Sequence, residues 1–516
     1  MFLKTGLVSV VLLLASRLLG LLRESAQAAA FGTSGMGDVA VLMLTLPDWL
    51  TGVLASGALA YVLLPHWAGQ SAPGQAQSQR RVAHWLLTIG VLAACLLCLF
   101  RMPVVRLLAS GLPSHLLPQA ALGLVWSAIA LPAALLAALW VTRLQHERDF
   151  TGLYAANLVV NGVLIAALYW VAIDAFHIST LTLLGLFLWL AMGLRLGWLR
   201  WRLQAFAIKD GTASQPAPIF LPHASLWCWA ALSAGLPLML PFVARSLASG
   251  AGEGALVTFN YAWKLVELPL VLAIQLVATL SFPAITRALA PDSRSAAEPS
   301  AAGVGIAAQP SLPDAAVRTV RAAFLLAWTL ACASAAALQV GAPALAHWLF
   351  GWGRMPTESL ATVANWGRIG AFGLLPQALI AVALTVLATI GRMRAVVLAY
   401  AAALIALLGL GTWANGDGSL LMLVINAVLS LVALVALLKL PGHALGCNQR
   451  LSLLPWQAMM LPAVLLLICA LAGHHDLFVF FEPKSLSVLM ACALTAIMFI
   501  VICYFCSAEL RAALKR

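Results

Sequence analysis

Charged side chains are scarce in this chain: Asp, Glu, Lys and Arg make up 9% of its 516 residues, and only 17 of those are acids. That excludes an ordinary water-soluble domain, in which about a quarter of residues are charged. Familiar enzyme motifs are missing too. There is no GxxxxGK[ST] phosphate loop, no HExxH zinc helix and no GxSxG nucleophile turn. No loop expected on the outer side is long enough to build the domain that membrane polymerases and ligases of lipid-linked sugars use. Cysteine is sparse and dispersed. The Cys95–Cys98 and Cys503–Cys506 pairs have no His or acid beside them, so they read as small buried hydrophobes rather than as metal or redox sites. The net charge of +12 does not indicate nucleic acid, because the cations are spread over short loops.

What the chain has in abundance is hydrocarbon. Hydrophobic residues reach 63% and the mean hydropathy is +0.99. Apolar stretches of about 20 residues, each enough to cross a hydrocarbon core of roughly 30 Å, recur from end to end. Punctuation by Gly, Pro and charge predicts an all-α polytopic membrane protein of about fourteen spans. They fall at 5–30, 36–67, 81–108, 117–143, 151–173, 178–201, 223–249, 254–287, 315–340, 357–390, 394–413, 418–438, 455–473 and 484–507. The first span carries arginines and lacks a small-residue cleavage site, so it reads as a retained helix rather than a signal peptide. Loop cations such as Arg80, Arg81, Arg143, Arg148, Arg200, Arg202, Arg392 and Arg394 gather on one set of turns, against Arg354 and Lys484 on the other, with Arg101 and Arg106 near the outer end of the third span. The positive-inside rule then predicts a multi-pass protein with both termini in the cytoplasm.

Polar linkers at 210–222 and 291–314 predict a lobe over 1–210 (spans one to six), a lobe over 211–445 (spans seven to twelve) and an appended pair over 446–516. The longer linker reads as flexible and cytoplasmic. Leu46-Pro47 with Pro65, and Leu268-Pro269 with Pro283, mark the second and eighth spans as counterparts. Internal repeats about a central site are a common plan of secondary transporters.

Ionisable residues within spans point to a path for substrate or ions. They are Arg17, Arg23 and Glu24 in the first span, Asp38 and Asp48 in the second, Arg245 in the seventh, and Lys264 and Glu267 in the eighth. Arginine suits a phosphate-bearing cargo because its planar fork makes two hydrogen bonds and never loses its charge. Arg17 and Glu24, seven residues apart, fall on nearly one helix face, with Arg23 about a third of a turn away. Arg17 and Arg23 either line a cavity for anionic head groups or snorkel toward an interface. Asp38 either starts its helix or forms, with Arg23 across the Phe31–Gly37 turn, part of an outer gate. Lys264 and Glu267 share a face and can pair. In a functional reading Lys264 meets substrate phosphate while an acid responds to a coupling ion. Pro47, Gly52 and Pro269 are candidate hinges. Arg245 and Arg368 are weaker candidates, and His474, His475 and Asp476 read as solvated loop. No catalytic residue, metal or cofactor is expected; membrane potential, Na+ or H+ would supply the drive.

The run Ser16-Arg17-Leu18-Leu19-Gly20-Leu21-Leu22-Arg23-Glu24, followed by Phe31-Gly32, Asp38, Leu46-Pro47, Gly57-Ala58 and Leu64-Pro65, resembles the MurJ (MviN) family of lipid II flippases, within the multidrug/oligosaccharidyl-lipid/polysaccharide exporter superfamily. Phe150, Asn161, Tyr261-Ala262 with Glu267 and Pro269, and Leu349-Phe350-Gly351 with Gly353 extend the match along the chain. The resemblance implies two six-helix lobes in a V around a cationic central cavity, with a lipid-tail groove built by the last two helices. It implies diphosphate contacts at Arg17 and Arg23 and a gate acid at Asp38. Departures are clear. Thr51 to Ala58 lacks the family's second-span arginines and glutamate, and Trp263-Lys264 replaces an Asp-Arg pair.

The expected function is therefore a flippase for undecaprenyl-diphosphate-linked peptidoglycan precursor in the bacterial inner membrane, needed for cell wall biogenesis and cell shape. Its expected partners are the lipid-linked glycan diphosphate and membrane lipid, with the chain a monomer. A flippase for an O-antigen or exopolysaccharide unit is the first alternative. A cation-coupled drug exporter is the second, although acids rather than bases would dominate its cavity.

Overall fold

The structure, a computed structural model, describes residues 2–53, 57–173, 178–207, 221–275, 277–278, 281, 285, 314–390, 392–440, 453–474 and 486–514. The 291–314 linker (Asp314 apart), most of the 210–222 linker, Pro283, His475 and Asp476 lie outside these, as does the side chain of His474. Among the described residues the secondary structure is helical throughout. In chain order the helices are α1 (Phe2–Phe31), α2 (Gly35–Val53), α3 (Leu59–Ala68), α4 (Ala72–Leu99), α5 (Arg101–Leu108), α6 (Leu117–His146), α7 (Phe150–Ala172), α8 (Thr180–Ala207) and α9 (Ala224–Ala248). They continue with α10 (Ala255–Pro269), α11 (Asp314–Phe350), α12 (Thr357–Ala371), α13 (Leu374–Thr389), α14 (Arg394–Trp413), α15 (Gly418–Leu438), α16 (Trp456–His474), α17 (Leu486–Cys506) and α18 (Ala508–Leu514).

The described residues of the expected spans are mainly helical, with local differences. The 36–67 span is divided into α2 and α3, with a π turn at Gly57 and Ala58, and 81–108 is divided at Phe100. The 357–390 span is α12 and α13, bent by 45°. By length and hydropathy, eleven described helices can cross a membrane, or twelve if the bent pair is one span. Contacts group the chain into two compact units: 1–261 with 347–363 and 408–421, and 262–346 with 364–407 and 422–516. A partition by span number draws its boundaries elsewhere.

In the first unit α6 is the central helix, packed against α2, α4 and α8. Its sequence is apolar all round and alanine-rich, which suits a helix with neighbours on every side. Leu59, Leu63 and Trp67 of α3 pack with Val82, Ala138 and Leu139, and Ala137, Val141 and Leu144 pack with Ala156 and Leu199. Several polar groups within this packing find partners. Trp67 Nε1 donates to Ser78 Oγ at 2.9 Å, and Ser127 Oγ donates to the Met43 carbonyl. Asp149 caps α7 through the Gly152 amide and accepts the Arg202 fork at 2.8 and 2.7 Å. Gly57 is needed for close approach, because a Cβ there would overlap Ala234 of α9.

In the second unit α11 is the most buried span. Small residues let its neighbours come close: a side chain at Gly341 would overlap Cys492 of α17, and one at Gly473 would crowd the Gln339 carbonyl. Trp328 Nε1 donates to the Met459 carbonyl of α16 at 3.1 Å. The bend between α12 and α13 frees carbonyl groups, and neutral amides take them up. Gln339 Nε2 donates to the Arg368 carbonyl at 2.8 Å and Asn426 Nδ2 to that of Ile369 at 2.7 Å. Such satisfaction is what makes broken helices tolerable at membrane depth.

Candidate functional site

The charged residues of the first unit form a chain of contacts through α2, α1, α10 and α9. Arg23 donates Nη1 to Asp48 Oδ2 at 2.7 Å and Nη2 to Glu24 Oε1 at 2.8 Å. Glu24 accepts a further bond from Asn260 Nδ2 at 3.0 Å, and Asn260 Oδ1 accepts from Arg245 Nη1 at 2.6 Å. Arg23, Glu24 and Asn260 are all buried, whereas Asp48 keeps 45% of its side chain exposed. Pairing makes this burial affordable, since an isolated charge in an apolar interior costs several kcal/mol.

The expected pairing of Arg23 with Asp38 does not occur, because Asp38 is already engaged. Its Oδ2 accepts the Gly254 amide at 2.7 Å and its Oδ1 the Val257 amide at 2.8 Å. Asp38 therefore caps the start of α10 instead of its own helix, for which Ser34 and Glu253 provide acceptors. Ser34 Oγ accepts the Gly37 amide, and Glu253 Oε1 accepts the Gly35 amide at 2.9 Å. The two helix starts thus exchange acids, each meeting the partial positive charge of the other's unpaired amides. A sequence signal for Glu253 exists: Ser34-Gly35-Met36-Gly37-Asp38 matches Ser249-Gly250-Ala251-Gly252-Glu253, so the two acids occupy equivalent positions.

Other segments of the first unit meet at the same end. The Arg354 amide donates to the Ala29 carbonyl at 3.1 Å, and the Thr33 and Ser359 hydroxyls lie 2.8 Å apart. Gly32 and Gly353 both have positive φ, 58° and 65°, and a Cβ on either would strike the backbone of the opposing segment. Only glycine meets both demands without strain. Tyr261 stacks on Phe350 with ring centroids 4.8 Å apart.

The remaining candidates are separate from this chain. Arg17 is exposed and acts electrostatically on Tyr154 of α7, so the seven-residue spacing that places it over Glu24 does not give the two the same environment. Lys264 and Glu267, in the second unit, pair at 2.8 Å with side chains 25% and 35% exposed. The helix goes on past Pro269 as a π segment, Leu270–Ile274, while α2 runs through Pro47 unbroken. Gly52 faces Leu238 at ordinary contact distance. Arg245 lies over the Phe242 ring, 5.8 Å from its centroid. No group of three metal-ligating side chains occurs among the described residues. Sequence reasoning missed Glu253, Asn260 and a buried cation of α8, Arg195, whose Nη2 lies 3.3 Å from Asn157 Oδ1.

Apolar helices long enough to cross a membrane, with ionisable groups held among them, define a polytopic membrane protein of the transporter class. The chain belongs to the MurJ family: the family model described as lipid II flippase MurJ matches residues 27–482. Among solved structures, lipid II flippase MurJ in an inward closed conformation matches with a TM-score of 0.73 at 15% identity, covering 96% of this chain and 99% of that one. Two structures of a multidrug resistance MATE family transporter of the MOP superfamily match more weakly. The inward-facing conformation gives a TM-score of 0.62 at 14% identity, covering 82% and 93%, and the outward-facing one 0.58 at 14%, covering 83% and 91%. At such identities the likeness concerns the fold. No curated protein matches the sequence. Membership makes this a multi-pass inner-membrane protein of a transporter family that serves peptidoglycan biosynthesis.

Proposed function

We propose that this chain moves lipid II, the undecaprenyl-diphosphate-linked peptidoglycan precursor, from the inner to the outer leaflet by alternating access. The observation that carries the reading is the pair of guanidinium groups on α1 in a chain of this family: Arg17 exposed, and Arg23 buried and held by Asp48 and Glu24. A polar head group crossing hydrocarbon leaves groups unsatisfied at several kcal/mol each. Fixed cations offset that cost while the apolar tail stays in lipid. Arg17 and Arg23 take the diphosphate in this reading, with Lys264 and Glu267 as a second contact. The caps at Asp38 and Glu253 hold the outer gate shut, Glu24 links that gate to Arg23, and Pro47, Gly52 and Pro269 supply bending points. Fourteen spans, cytoplasmic termini, a monomeric state, the last two helices as a lipid-tail groove and drive by membrane potential, Na+ or H+ complete the proposal.

A second reading, a flippase for another polyprenyl-linked glycan, is favoured by the departures at Thr51, Gly52, Ser56 and Lys264, since lysine cannot grip phosphate with two parallel bonds. Complementation of a strain depleted of its peptidoglycan flippase separates the two. Rescue is expected for a lipid II carrier, and failure of a membrane-inserted chain to rescue favours the second. Arg17→Ala is expected to abolish transport while leaving insertion intact; normal transport in that variant removes the site assignment.

A further inference from the structure

Arg195 is more buried than Arg23, 5% against 9% exposed, yet it is much less well served. A buried guanidinium has five N–H donors and normally finds a carboxylate for its fork. Arg195 has one long bond, to the neutral Asn157 side chain at 3.3 Å, and its Nε is buried without a partner among the described residues. Arg23, although paired twice, also keeps a buried Nε without a partner. One carboxylate lies within electrostatic reach of both cations. Asp48 bonds Arg23 at 2.7 Å and acts on Arg195 through space. Its side chain is 45% exposed while that of Arg23 is 10% exposed, so the carboxylate is the accessible member of the group.

The surroundings are polar along one line. Tyr154, Asn157 and Asn161 of α7 are spaced by three and four residues and so share one helix face, half-buried. Arg17 acts on Tyr154, Arg195 bonds Asn157, and Gly20 of α1 lies against Asn161. A purely structural arginine would not need such a stripe, nor leave donors unused beside a carboxylate with room to move.

We propose that Arg195 is a further ligand for the cargo's diphosphate, and that Asp48 is a resident counter-ion standing where the diphosphate binds. This rests on the reading of the cargo as diphosphate-linked. A diphosphate carries more charge and more acceptor oxygens than one carboxylate, so it saturates the N–H groups that Asp48 leaves unused. Asp48 follows Pro47 directly, so bending of α2 at that proline carries the counter-ion away from both arginines and exposes them together. Arg195 also restores, from α8, a cation that the second span lacks at Thr51 and Gly52.

The test uses the full chain in phosphatidylcholine nanodiscs, titrated with farnesyl diphosphate, with farnesol and inorganic pyrophosphate as parallel probes. Asp48→Asn removes the competitor and is expected to tighten farnesyl diphosphate binding about tenfold. Arg195→Gln is expected to weaken it about tenfold or more, and Arg195→Lys to recover part of the loss, since charge returns without the fork. The gain in Asp48→Asn cannot come from misfolding and tests the counter-ion, while Arg195→Lys, which keeps the charge, tests the Arg195 contact if Arg195→Gln folds poorly. Pyrophosphate competing for the site supports the diphosphate as the recognised group; farnesol binding as well as farnesyl diphosphate overturns it. If Asp48→Asn binds no tighter and Arg195→Gln no weaker, while Arg17→Ala loses binding, this inference falls and the cargo reading stands. If the unaltered chain binds no farnesyl diphosphate, both fall.

Discussion

The first unit buries charge, whereas the second buries neutral amides against carbonyls. Arg23, Glu24 and Asp38 are each less than a tenth exposed and each is committed to a charged or amide partner. At the bend of α12 and α13 the donors are buried Gln339 and half-buried Asn426, neutral amides that mend a broken helix. The second unit's ion pairs, Lys264–Glu267 within one helix and Arg321–Glu509 between two, both stay part-exposed. The difference teaches that repairing a backbone in hydrocarbon requires only neutral groups. Charge at depth implies something further, such as a charged cargo.

The contrast can be tested where its effects are largest. Arg23→Ala leaves Glu24 and Asp48 without their cation and is expected to cost about 3–5 kcal/mol, read as thermal unfolding in detergent. A loss near zero would mean the network is solvated and the contrast is wrong. In the second unit, where packing dominates, Gly341→Leu drives a side chain into Cys492 and is expected to cost about 1–3 kcal/mol. Cys492→Ala on that background should return part of the loss, because the two sites share one gap. Lys264→Met breaks a part-exposed pair and is expected to change stability by about 1 kcal/mol or less, whatever it does to transport.

The smallest effect is expected at Asp417, outside the spans. Hydrogen bonds from the Ser419 hydroxyl, and then from the Ser419 and Leu420 amides, hold its carboxyl below the usual value at the start of α15. Folding therefore favours the charged form. The contribution is present above the ordinary carboxylate value of about 3.9 and is lost as pH falls below it. Asp417→Ala should lower stability by about 0.5 kcal/mol at neutral pH and by nothing measurable in strong acid.

Much of this was legible in the residues. The apolar runs located the helices, and the intramembrane charges of α1, α2 and α10 marked the elements that carry the network. What the sequence could not show was which charges meet. Asp38 and Asp48 both lie on α2 as possible partners for Arg23, and only the position of the α10 start shows that Asp38 is already occupied. Asn260 carries no charge and so gave no signal. Arg195 is hidden in a run with Arg200 and Arg202 that reads as the cationic end of a span. The bend after Ala371 falls among apolar residues that look continuous, because Gln339 and Asn426, which make it tolerable, come from distant positions.

The exchange of Asp38 and Glu253 between two helix beginnings also bears on how easily that end can come apart. Carboxylates and helix-end amides are among the best-hydrated groups a protein owns. When water enters as they separate, each finds a new partner at once and none is stranded. A greasy closure of equal area would resist wetting and tend to stay stuck. A latch built from acids and backbone N–H groups can instead be undone and remade many times, which is what a carrier that must cycle requires.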